Sequence, residues 1–196
     1  MDDLPPAARP LVTREETLLR AIFGVGTDKV AAKKALGDAH LGGAQSRKDT
    51  APAATVKFVQ AFRATPIDRI RLIKRGISAK VLEQIARDMS IPKERLVGTL
   101  GLARATVDRK ARENKPLSSD EGSRVLGMTS LIGQVQAMIE ESGNPEGFNA
   151  AEWVGRWLER PLPALGGQKP AELMDTPDGQ ALVSNIVARM QSGGYS

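Results

Sequence analysis

Cysteine is missing from all 196 residues, and histidine occurs once, as His40. The first absence excludes disulfides, thiol catalysis and thiolate metal sites. The second leaves neither a histidine-rich metal site nor a Ser-His-Asp constellation to consider. No apolar run approaches the roughly 18–20 residues of a membrane span. The start carries no basic-then-apolar signal, so a cytoplasmic protein without a membrane partner is expected. Strand signatures are missing too: polar and apolar residues nowhere alternate for long enough, every patterned segment reads as helix, and the chain is assigned to the all-α class. Gly24 and Gly26 in GVGTDK lack the third glycine of a dinucleotide fingerprint and the spacing of a phosphate loop. The acidic pairs Glu140–Glu141 and Asp175–Asp178 fall at helix ends, where capping acids are ordinary. Neither pair has a base, nucleophile or metal ligand beside it. The sequence therefore predicts no enzyme, catalytic residue, metal or cofactor.

Charge, by contrast, is plentiful and unevenly spread. The net charge of +5 conceals a basic centre, with 14 Lys and Arg against 6 Asp and Glu between Arg63 and Lys115. From Pro116 onward the balance reverses, to 5 against 10. Two surfaces with different partners are expected from such a division. The basic one suits nucleic acid, where phosphate contacts dominate affinity.

The stretch from Ser78 to Lys115 shows how the basic centre is organised. Val81, Leu82, Ile85 and Met89 recur at helical spacing behind Ser78, read as an N-cap. Pro92 suits the first turn of a second helix that buries Leu96, Val97 and Leu100. Gly101 stands where a helix closes with positive φ. A third helix begins near Ala103, turns Val107 and Ala111 inward, and carries Arg104, Arg109, Lys110, Arg112 and Lys115. Helix, glycine corner and basic helix form a helix-turn-helix, whose second helix enters the DNA major groove. Arg104, Thr106 and Arg109 are placed to meet base edges, Asp108 to orient an arginine, and Lys110, Arg112 and Lys115 to meet phosphates. The competing reading is a basic helix that is merely a solvated face. One feature weakens the motif: Ala103 stands where Ser or Thr would cap the third helix.

Around this centre the chain divides into three parts. Residues 1–50 are expected to form a flexible or weakly helical N-terminal extension. One helix signal there is a capping box at Thr13 and Glu16, followed by Leu18, Leu19 and Ile22; the other is a short helix from Asp28 to Leu36. Residues 51–142 are helical throughout. Val56, Val59 and Phe62 define one inward face, and Ile67, Ile70 and Ile73 another. A capping box at Ser118 and Glu121 opens the longest helix. On it Val125, Met128, Ile132, Val135 and Ile139 are spaced 3, 4, 3 and 4 apart, a seam for packing within the monomer or for a dimer. Residues 143–196 contain a Trp153/Trp157 helix capped by Asn149, a Pro-Gly-rich stretch, and a final helix whose inward face is Leu182, Val183, Ile186, Val187 and Met190.

This C-terminal part resembles the antitoxins of the Xre/ParS/MbcA type. The resemblance rests on the tryptophan-leucine helix, on PLPALGGQKPAELMDTPDGQALV, and on the ending SGGYS. It covers roughly Pro66 to Ser196. It implies a Cro/repressor-like helix-turn-helix bundle followed by a small helical toxin-binding domain. The partners it implies are a cognate RES-domain toxin that consumes NAD or uses it for ADP-ribosylation, operator DNA, and a second copy in a homodimer. By position it implies that Gly193, Gly194, Tyr195 and Ser196 plug the toxin's NAD site, the Ser196 carboxylate standing in for phosphate. Leu165, Gly166, Gly167 and Lys169 would shape the same contact, while Pro170, Leu173 and Gly179 set the fold. The alternative is a plain transcriptional regulator whose C-terminal domain serves dimerisation or ligand binding.

Overall fold

A computed structural model describes residues 56–142 and 147–191 of the protein. The helix signals at Thr13 and Asp28 and the residues Gly193, Gly194, Tyr195 and Ser196 lie outside the described residues. Those described fold as α1 (Phe58–Arg63), α2 (Pro66–Arg75), α3 (Val81–Asp88), α4 (Lys93–Thr99), α5 (Arg104–Arg112), α6 (Ser119–Glu141), α7 (Ala150–Trp157) and α8 (Pro177–Gln191). Two 3-10 turns, Pro163–Leu165 and Pro170–Leu173, join α7 to α8. The fold is all-α: among the described residues the only strand-like pairing is an isolated bridge between Ser78 and Pro116. None of their helices is long and apolar enough to cross a membrane.

Helix α6 is the axis. Its 23 residues span roughly 34 Å, and α1, α2, α7 and α8 all pack on it. It starts at the expected capping box, with Ser118 Oγ accepting from Glu121 N and Glu121 Oε2 accepting from Ser118 N. From Val125 to Val135 every residue but Gly127 is buried or nearly so, a helix enclosed on all sides. The Val125–Met128–Ile132–Val135 seam therefore packs inside the monomer. Close packing requires small residues at two crossings. A Cβ on Gly133 would stand 2.0 Å from the Phe58 carbonyl oxygen, and one on Gly127 1.8 Å from Gln180 Oε1. Polar groups on the enclosed helix are matched. Thr129 Oγ1 donates to Val125 O at 2.8 Å, and Gln134 exchanges hydrogen bonds with Ser184 of α8 through both its amide atoms.

Several expected faces are turned around. On α1 it is Phe58 and Ala61 that are buried, while Phe62 is exposed and Val59 only half-buried. On α2 the core receives Leu72 and Asp68, whereas Ile67 and Ile70 point to solvent. The cause is the end of the helix. Thr65 caps α2 by accepting from Asp68 N and donates its hydroxyl to Asp68 Oδ2 at 2.8 Å, so the carboxylate is paid for locally and can be buried. Leu182 on α8 is likewise exposed, leaving Val183, Ile186 and Val187 to fill the core. Ser78 is not the N-cap of α3. It pairs with Pro116, and three i→i−3 turns carry the chain from it into Val81. Pro92 sits at the N-cap of α4, one place before the first turn.

Two glycine substitutions should move in opposite directions. Gly133→Ala sets a methyl against backbone and should lower stability by about 1–3 kcal/mol despite better helix propensity. Gly98→Ala, on the open side of α4 with nothing within 4 Å, should raise it by roughly 0.5–1 kcal/mol. Denaturant unfolding of the two variants checks both signs.

Candidate nucleic-acid and toxin interfaces

The corner between α4 and α5 is built from backbone. Gly101 adopts φ +59°, and Leu102 N returns to Val97 O at 2.9 Å. Arg124 of α6 reaches under the corner: its Nη1 donates to Leu100 O at 2.8 Å and to Gly101 O at 2.9 Å, and its Nη2 pairs with Asp120. One planar guanidinium thus satisfies the carbonyls that end α4. A Cβ on Gly101 would meet Asp175 Cβ at 2.9 Å and Arg124 Nη1 at 3.0 Å, so the corner has no room for a side chain. This clamp left no sequence signal, because Arg124 is one ordinary cation in a capped helix.

Helix α5 begins at Arg104 behind Ala103, which makes no side-chain cap. Val107 is fully buried and Ala111 half-buried, and the outward face is cationic. Arg109 and Arg112 are exposed, and among the described residues neither has a carboxylate in salt-bridge range. Arg104 is exposed but leans on Glu94 at 3.1 Å and Asp108 at 3.8 Å. Asp108 also receives Lys93 Nζ at 2.7 Å, and that hydrogen bond, with the surrounding cations, holds its carboxyl below the usual range. Thr106 is half-buried on the same helix.

Two expected phosphate ligands sit elsewhere than predicted. Lys110 is not outward: its ammonium is paired with Glu121, the two side chains only 17% and 13% exposed. Burial pushes the Glu121 carboxyl up, but hydrogen bonds from Lys110 and Ser118 outweigh it and leave the carboxyl below its ordinary value. Lys110 therefore fastens α5 to the N-terminus of α6. Lys115 lies beyond the end of α5, past Asn114 at φ +51°, and pairs with Glu113 at 2.8 Å.

The C-terminal module presents a different chemistry. Trp153 and Trp157 stack at 5.5 Å on α7, with Trp157 buried and Phe148 at 6.3 Å from Trp153. After Leu162 the chain folds a tight loop, Gly167 N returning to Leu162 O at 2.9 Å and Leu162 N to Gln168 O at 3.0 Å. Gly166 and Gly167 at its tip both have positive φ and nothing within 4 Å of where a Cβ would be. The loop thus offers bare backbone to solvent, flanked by half-buried Leu165 and by Lys169, whose Nζ meets Glu159 at 3.2 Å. Pro170 is buried, and a Cβ on Gly179 would collide with Leu173 O at 1.9 Å, so these residues shape the module. The module is locked to the α4–α5 corner. Gln180 Nε2 donates to Arg124 O at 3.0 Å and to Met174 O at 2.8 Å, beside the Asp175–Gly101 contact.

Known proteins share both halves. Residues 68–128 match the antitoxin Xre-like helix-turn-helix domain, and residues 146–193 the antitoxin Xre/MbcA/ParS C-terminal toxin-binding domain. The chain is 44% identical over 149 residues to the Prs ADP-ribosylating antitoxin of Sphingobium sp. (strain YBL2), covering 76% of this chain and 92% of that protein. It is 23% identical to the antitoxin Xre of Yersinia enterocolitica, over 63% of this chain and 78% of that one. With the antitoxin Xre of Pseudomonas putida it shares 23% identity over 70% of each. A corner gripped from α6, a cationic α5 and a glycine-tipped module on one helical frame accompany these matches, and the chain belongs to the Xre/MbcA/ParS family of antitoxins, with a helix-turn-helix and a toxin-binding domain.

Proposed function

We propose that the protein, a cytoplasmic homodimer, neutralises a RES-domain toxin by filling its NAD site, and represses the operon that encodes the pair. The observation that carries this reading is the relationship to the Sphingobium protein across nearly its whole length. Its name speaks of Prs and of ADP-ribosylation, so a toxin that ADP-ribosylates Prs is the proposed partner. Gly193, Gly194, Tyr195 and Ser196 form the plug. Two glycines let the backbone pass a narrow mouth, and the Tyr195 ring and hydroxyl supply an anchor. Leu165, Gly166, Gly167 and Lys169 contact the toxin outside its cavity, where backbone without side chains permits close approach.

On DNA, Arg104, Thr106 and Arg109 read base edges, while Arg112 and Lys115 meet phosphates. Arg109 has the fewest ties and is the strongest candidate for a guanine. Arg104 gives up only surface pairs, which are worth about 0–1 kcal/mol. Two copies present two α5 helices to paired half-sites.

Removing Gly193–Ser196 should weaken toxin inhibition by roughly 30-fold or more, the scale of an interface anchor. It should leave a complex that still co-purifies through the Leu165–Lys169 loop. Undiminished neutralisation in co-expression would discard the plug. Arg109→Ala should cost about 1–3 kcal/mol of operator affinity and relax preference at one base pair, whereas Arg112→Ala should weaken all sequences alike and reduce the salt slope by about one. Lys110→Ala should instead lower the melting temperature and leave the salt slope nearly unchanged. Anisotropy titrations at several salt concentrations, with thermal melts, separate the three.

A further inference from the structure

Between α2, α6 and α8 lies a groove of about 330 Å³, and Arg69 of α2 is the cation in its wall. Arg69 is half-buried, and its one polar contact among the described residues is Ser130 Oγ, at 3.5 Å. That is the long limit of a hydrogen bond, against about 2.9 Å for a good one. Among the described residues no carboxylate stands in salt-bridge range of it. Burial pulls the guanidinium below its ordinary pKa, yet arginine stays charged in proteins. Most of its planar fork of N–H donors is therefore unclaimed by the protein, although the group has given up part of its water.

The rest of the groove is polar and short of acceptors with charge. Ser123 and Ser130 lie on one face of α6, and Gln180, Ser184 and Asn185 come from α8. Two of these are already committed. Ser184 Oγ donates to Gln134 Oε1 at 2.7 Å, and Gln180 Nε2 donates to Arg124 O and Met174 O. The donors left over are the Arg69 fork, the Ser123 and Ser130 hydroxyls and the Asn185 amide. No acid lines the groove, so an anion entering it meets no like charge. No aromatic ring lines it either, which leaves nothing for a nucleobase to stack on. A carboxylate would be satisfied by the guanidinium fork alone, whereas hydroxyl donors beside the fork suit a group with a third oxygen. The volume is at the small end of ligand pockets, roughly 300–1,000 Å³, and exceeds what a bare oxyanion fills.

We propose that the α2–α6–α8 groove binds a small phosphorylated polyol, its phosphoryl oxygens held by Arg69, Ser123 and Ser130 and a hydroxyl by Asn185. The inference goes beyond the antitoxin reading and does not rest on it. Because Gln180 lines the groove and also holds Arg124 O, an occupant sits directly against the contact between the C-terminal module and the α4–α5 corner.

Calorimetric titration of the full-length chain with glycerol 3-phosphate, in phosphate-free buffer, tests this. Inorganic phosphate should bind more weakly, and glycerol and glycerate about ten-fold more weakly or not at all, the worth of a hydrogen bond to a charged group. Arg69→Gln should cost glycerol 3-phosphate about ten-fold or more in affinity, and should leave the ligand-free melting temperature unchanged or raised, since a half-buried charge without a partner is removed. Arg69→Lys, which keeps the charge and loses the fork, should fall between. Asn185→Asp, on the exposed rim, should weaken binding by like-charge repulsion, while Arg112→Ala should not affect it. No binding of glycerol 3-phosphate by the wild type overturns the proposal, as does binding indifferent to Arg69→Gln and Asn185→Asp. Loss of binding in Arg112→Ala overturns it by placing the anion on α5. Equal affinity for glycerate overturns the phosphoryl group, and equal affinity for inorganic phosphate overturns the polyol. Should Arg69→Gln lower the ligand-free melting temperature, Asn185→Asp decides alone.

Discussion

Enclosure of α6 is the constraint on which the rest of the structure depends. A helix with no solvent face over its middle turns must admit neighbours from every side, and neighbours approach only where side chains are short. Gly133 under the Phe58 carbonyl and Gly127 under the Gln180 amide mark the two closest crossings. Glycine in a helix costs about 1 kcal/mol each. At Gly133 that cost allows the backbone of α1 to approach, and at Gly127 it makes room for the Gln180 side chain of α8. The part-buried Gln134–Ser184 and Gln180–Arg124 hydrogen bonds then help to fix the register of α8 along α6.

The same axis holds the two functional surfaces in one frame. The N-terminal turns of α6 carry Glu121, which grips α5 through Lys110, and Arg124, which grips the corner before it. One turn further on, Gly127 receives Gln180 of the toxin-binding module. Asp175 of that module abuts Gly101 itself. Helix α5 with its corner and the toxin-binding module therefore share a junction a few residues wide. A displacement of Gln180 or Asp175 would be felt at the corner carbonyls, because Arg124 is hydrogen-bonded on both sides of the junction.

How much of this was legible in the sequence follows from which forces are local. The capping box at Ser118 and Glu121, the Gly101 corner and the start of α5 were readable because each is decided within a few residues; the end of α5 was not, since Lys115 lies past it. Asn149 signalled its helix in the same local way. The inward faces of α1, α2 and α8 were less readable. A hydrophobic stripe says that a face wants cover, but not whether the core or another segment provides it. The buried Asp68 misled further, since its Thr65 hydroxyl partner makes burial of a carboxylate tolerable. At the candidate sites, residue type alone could not separate Lys110 from Arg112. Both look outward on a helical wheel, and only the position of α6 shows that one meets a carboxylate and the other solvent.

The missing cap at Ala103 also finds its explanation in tertiary contacts. A helix that binds an anionic polymer gains from leaving its first backbone N–H groups unclaimed, because they and the helix dipole favour phosphate. Ala103 provides no side-chain oxygen to compete for them. The stability a cap would have given is replaced from elsewhere: Arg124 ties down the corner carbonyls, Val107 N closes on Ala103 O at 3.0 Å, and the Lys110–Glu121 pair holds the far end. On the cationic side of this nine-residue helix Arg104 is tied to Glu94 of α4, while Arg109 and Arg112 have no carboxylate in salt-bridge range among the described residues.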